Sequence, residues 1–195
     1  MVFPTQGIAE YPNIKSFMQR GTSPLTLWYV AGAANQTALG TLAVSANQLY
    51  AIPDVMGRGG ILDTIAFEVT TLAGGSSCRV GLYTNANDNA PYPGTLVVDS
   101  GVLSGGSTGV KSLTGIGGPW NQGLYWWVFE SDGTPTVRSV AVGGQSHLQG
   151  LSSALALQGA LTKAFTFAAL PTTFPSGATY AATAAYPAIA HYHSS

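Results

Sequence analysis

Ile61-Leu-Asp-Thr-Ile-Ala-Phe-Glu-Val-Thr-Thr71 is the stretch that decides the fold. Ile61, Ile65, Phe67 and Val69 alternate with Thr64, Ala66, Glu68 and Thr70. Successive side chains of a strand point to opposite faces, so this period of two predicts a strand with one buried and one wet face. Glycine-rich turns bracket it, Gly57-Arg-Gly-Gly60 before and Gly74-Gly75 after. Further strands are predicted upstream at 25–30 and within 39–52, and downstream at 78–84, 96–103, 110–116, 123–130 and 136–142. Turn clusters separate them at roughly ten-residue spacing, the pattern of an antiparallel β-sandwich.

Composition bounds the possibilities. Of 195 residues only 8% are charged, against 46% hydrophobic, where an average soluble domain has about 25% charged residues. Such a chain is too apolar for disorder. Residues 139–195 hold one formal charge, Lys163. A monomer relies on charge for solubility, so its loss points to surface hidden against neighbours. The net charge is -1 with no basic patch, which argues against nucleic acid as a partner. Uncharged segments are interrupted by Gly, Ser, Thr and Pro, and none reads as a membrane span. No basic n-region precedes an apolar run at the start, so no signal peptide is read.

The predicted organisation is an extended N-terminal arm, 1–24, followed by one sandwich domain, 25–195. The arm shows no period, yet it carries Phe3, Ile8, Tyr11, Phe17, Lys15 and Arg20. A free tail of that content would be an exposed apolar liability, so the arm is expected to dock on a partner. Within the domain, 143–195 reads as irregular, apolar and part of an interface. Leu148, Leu151, Leu155 and Leu157 allow one short helix, and 186–192 a last strand.

Leu124-Tyr-Trp-Trp-Val-Phe129 is apolar on both faces. Leu124, Trp126 and Val128 share one face, and Tyr125, Trp127 and Phe129 the other. One face fills the core, and either a loop or a second subunit covers the other. Tyr125, Trp127 and Phe129 are the candidate interface set. A sugar-stacking platform would use the same residue types.

Other motifs carry less. Cys78, the lone cysteine, reads as a small core residue. The loop 85–89, with Asp88, offers one carboxylate where calcium prefers several, and turn chemistry explains it equally well. His191 and His193 would share a strand face, a metal pair lacking a third ligand. There is no G-x-S-x-G, no H-E-x-x-H and no P-loop. No enzyme, no cofactor and no metal are expected.

Several pieces resemble a family of jelly-roll modules in virion proteins of tailed bacteriophages. They are Trp28-Tyr29, 33–39, 49–53, 60–65, Arg79-Val-Gly-Leu-Tyr83, Pro91-Tyr-Pro-Gly-Thr-Leu-Val-Val-Asp99, 123–126 and 132–138, with a weaker match at 169–177. The resemblance spans about residues 25–140. It implies an all-β, antiparallel jelly-roll β-sandwich in a virion made in the host cytoplasm. Such modules serve as head decoration proteins, head fibres, and tail or baseplate appendages. The expectation is a capsid decoration protein, homo-oligomeric as a trimer, bound to the major capsid protein or other virion proteins. A tail or head-fibre module that binds host surface glycan is the alternative. A secreted carbohydrate-binding domain is a weaker rival.

Overall fold

The computed structural model describes residues 28–32, 39–56, 60–86, 91–141, 159–181 and 185–194. Their strands are β1 Trp28–Val30, β2 Gly40–Ala43, β3 Gln48–Met56, β4 Gly60–Thr71, β5 Ser77–Asn85, β6 Pro93–Asp99, β7 Leu103–Ser104 and β8 Gly109–Leu113. The later ones are β9 Gly118–Trp120, β10 Gly123–Ser131, β11 Thr136–Ala141, β12 Leu161–Ala164, β13 Thr179–Tyr180, β14 Ala185–Pro187 and β15 Ala190–Ser194. No helix occurs among the described residues.

Two antiparallel sheets pack face to face. The first runs β1-β15-β4-β11-β14, with β2 joined to β11 and β8 and β9 joined to β4. The second runs β13-β12-β3-β10-β5-β6, with β7 joined to β5. Eight strands make the frame, as β2-β11-β4-β8 in the first sheet and β3-β10-β5-β6 in the second. Between the sheets lie Tyr50, Ile52, Ile65, Phe67, Val69, Val80, Leu82, Trp127, Phe129 and Ile189.

β4 shows how a bulge edits a simple alternation. Ile65, Phe67 and Val69 face the core as their period demands. Ile61, expected beside them, is 42% exposed, and Leu62 takes the core position at 2%. The partner register jumps from Tyr192↔Thr64 to His193↔Leu62, so Asp63 is the extra residue of a β-bulge. A bulge shifts the parity of everything beyond it.

β10 is buried on both faces, and the chain itself covers the second. Trp127 and Phe129 lie between the sheets, while Trp126 and Val128 face out beneath residues 159–181. There Leu161, Leu170 and Phe174 close a second apolar cluster with Leu49, Ala51 and Tyr83. The cover sits so tightly that a Cβ on Gly81 would collide with Leu170 and lie 2.7 Å from the Val98 carbonyl oxygen. Trp127 and Phe129 therefore cannot be interface residues, which corrects the sequence expectation. The face they share is the inter-sheet face. Tyr125 is half-buried at the edge of that core and donates its hydroxyl to the Asn121 carbonyl at 3.1 Å.

In the tail, 165–178 forms no strand, and the last strand expected at 186–192 is present as β14 and β15. β12 and β13 extend the second sheet, and β14 and β15 join the first. The arm 1–24, with Phe3, Ile8, Tyr11, Lys15, Phe17 and Arg20, lies outside the described residues, as does the short helix suggested by Leu148 to Leu157.

Candidate functional site

Polar side chains at β-strand positions that alternate into a core must find partners there. Asp54 is such a residue, in phase with Tyr50 and Ile52 on β3, and it is 1% exposed. Opposite it, β15 brings in His191, 3% exposed, with Nε2 3.4 Å from Asp54 Oδ2. Trp127 of β10 donates its indole N–H to the same oxygen at 3.3 Å and stacks on the His191 ring at 4.7 Å. Tyr29 of β1 stacks on that ring from 5.8 Å. The Tyr186 hydroxyl of β14 is buried without a hydrogen-bond partner, and burial, then Asp54, raises its pKa. Gly32, at φ +67°, leaves room at this end: a Cβ there would lie 2.7 Å from Ile52 Cγ2 and 3.3 Å from the Tyr186 oxygen.

The group joins an acid from one sheet to a base from the other. It is sealed from solvent, so no substrate reaches it. Its chemical capacity is that of a clasp between sheets. The imagined His191–His193 pair takes a different form, since His191 faces Asp54 and the His193 side chain is not among those described. Among the described residues no group of three or more His, Cys, Asp or Glu is placed to hold a metal ion.

A second polar group lies on the outer face of the second sheet. Arg79 of β5 bonds Asp99 of β6 at 2.7 Å. Its Nε lies 4.0 Å from Oε1 of Glu130, which β10 presents wholly buried. Asp99 also accepts the Leu170 amide of the cover at 3.1 Å, and the Arg79 guanidinium lies 5.8 Å from the Phe167 ring centre. Burial pushes the Glu130 carboxyl up to about 7; Arg79 and the Ala168 amide oppose the rise, and Asp99 and Asp132 add to it.

Most of the remaining described charges are also engaged within the chain. Arg138 pairs with Glu68 at 2.8 Å. Asp132 accepts the Ser77 amide at 2.6 Å, and Asp63 the Thr64 hydroxyl at 2.9 Å. Lys111 donates to Ser107 and Thr108. Lys163 lies alongside Gly177.

Other candidates resolve into structure. Cys78 is buried, its thiol pushed up to about 11 by burial. Asn85 turns its carbonyl oxygen to the Trp126 indole N–H at 3.0 Å and the Tyr92 amide at 3.2 Å; Asp88 lies outside the described residues. Trp126 and Trp127 are both fully buried, so neither offers a face for sugar stacking in the closed fold. Trp28 is 49% exposed, its ring 6.0 Å from that of Tyr192.

Sequence reasoning missed Asp54 and Glu130. Each was signalled by a carboxylate inside or at the end of a strand that is otherwise apolar on the same face. No family model matches the chain, and no curated protein matches it significantly.

Proposed function

We propose that the chain is a non-enzymatic virion structural protein, a jelly-roll subunit that decorates the head of a tailed-phage particle and reinforces it as a homo-oligomer, most simply a trimer. The strand order β2-β11-β4-β8 over β3-β10-β5-β6, with the chain passing repeatedly between sheets, supports the jelly roll. One observation carries the assembly reading: most of the scarce described charges are engaged with other groups of the same chain. Few are left for solvation alone, and Leu72, Val97, Val102 and Val110 stand exposed. A neutral surface with exposed apolar residues favours association, and stable obligate interfaces bury over ~2,000 Å².

The test is light scattering at micromolar concentration, followed by binding to particles stripped of this subunit. A trimer that restores particle stability is the expected result. A well-behaved monomer that ignores the particles overturns the reading. Half-exposed Trp28 beside Tyr192 favours a second reading, a tail or head-fibre module that stacks on host glycan. Glycan-array binding lost in Trp28→Ala would select it.

A further inference from the structure

We propose that residues 165–171 form a proton-controlled cover over the outer apolar cluster, with Glu130 as the group that carries the proton. The geometry sets one cation between two carboxylates. Arg79 is committed to Asp99 at 2.7 Å and reaches Glu130 only at 4.0 Å. Neither Glu130 oxygen completes a well-formed hydrogen bond, and the side chain has no exposed surface. With Glu130 ionised, the buried trio carries a net charge of -1. With Glu130 protonated it is neutral, and Arg79 keeps its Asp99 partner. The proton, taken from solvent, supplies the missing positive charge.

The groups around Glu130 reinforce this. β5 contributes Arg79, β6 Asp99, and the turn after β10 Asp132. The cover contributes the Ala168 amide, and Lys163 on the same segment sits at Gly177. β3 offers the apolar Leu49. Burial outweighs the groups that favour the carboxylate, in keeping with a carboxyl raised to about 7.

The cover is tied to this same trio. Its Leu170 amide bonds Asp99, and Phe167 lies against Arg79. Lifting it hydrates Glu130 and returns the acid to an ordinary affinity for protons. Acid therefore holds the cover shut. Neutral and alkaline pH loosen it over Tyr83, Trp126 and Val128.

Hydrogen exchange of the Phe167 and Leu170 amides tests this, in the wild type and in Glu130→Gln, from pH 5 to 8.5, with rates corrected for intrinsic exchange. Protection in the wild type should fall roughly 40-fold between pH 5 and 7, at most about tenfold per unit, and level off above. Glu130→Gln should be flat, and β10 amides should not follow the change. A flat wild type, the same slope in the variant, or parallel loss in β10 overturns the proposal. So does a carboxyl carbon titration that places Glu130 of the folded chain in the ordinary carboxylate range.

Discussion

The two faces of the second sheet are both apolar and both closed, by different means. The inner face meets the first sheet, whose strands are fixed by long backbone ladders. The outer face meets one segment of chain, joined to the sheet through β12 and then mostly by single contacts. Tyr83 donates its hydroxyl to the Pro171 carbonyl at 2.8 Å, Tyr92 to Pro175 at 2.7 Å, and Asn47 Oδ1 accepts the Phe167 amide at 3.0 Å. The segment also has backbone bonds at Phe165 to Asn47, Thr172 to Leu96 and Phe174 to Gly94; a ladder opens cooperatively, whereas 166–171, held between those points by separate side chains, can open alone. Equal burial in Trp126 and Trp127 thus does not mean equal standing in the fold.

Trp127→Ala should produce the largest effect, a loss of about 3–5 kcal/mol in urea unfolding, and it also removes a donor to Asp54. A loss under ~1 kcal/mol would break the comparison at its inner face.

The pH response comes next. A carboxyl raised to about 7 when folded, from 4.5, binds protons more tightly in the folded chain than in the unfolded one. Its contribution to stability is therefore greatest below 4.5 and is lost as pH rises toward 7. At about 1.4 kcal/mol per unit, the loss approaches ~3 kcal/mol. The difference in unfolding free energy between wild type and Glu130→Gln, measured at pH 5 and 8, isolates it. No change in that difference would remove Glu130 from the outer face's energetics.

Gly81→Ala pushes a methyl group into Leu170, an overpacking that costs about 1–3 kcal/mol. The damage should appear as faster exchange in 165–171 before any change in β4. Uniform loss across the molecule would mean that the outer segment is not separable. Tyr83→Phe deletes one tie to the cover and should cost about 1 kcal/mol, read in the same exchange experiment. An increase in protection there would contradict the assignment of that tie.

Strands with a long period were legible. β4 and β5 follow from alternation, and the facing of β10 from parity, because 125, 127 and 129 must share a side. What failed was the environment of each face. Alternation distinguishes two faces without saying which meets a sheet and which a loop, so Trp127 and Phe129 were set on a surface they do not form. The bulge at Asp63 was invisible because its cause is the register of β15, distant in sequence. The last strand expected at 186–192 is present as β14 and β15, whereas β12 and β13 span four and two residues, too short for periodicity to register. The Asp54–His191 clasp joins strands from opposite ends of the domain, and no local pattern pairs them.

The place of β15 has a consequence for synthesis. It threads between β1 and β4, and among the described strands β1 pairs with β15 alone. A chain emerging from the ribosome thus displays β1 and one flank of β4 long before their shared neighbour exists. That vacancy is a row of unpaired amides and carbonyls, the kind of edge that captures strands from other chains. Until residues 190–194 arrive to fill it, neighbouring chains on a polysome are exposed to that edge.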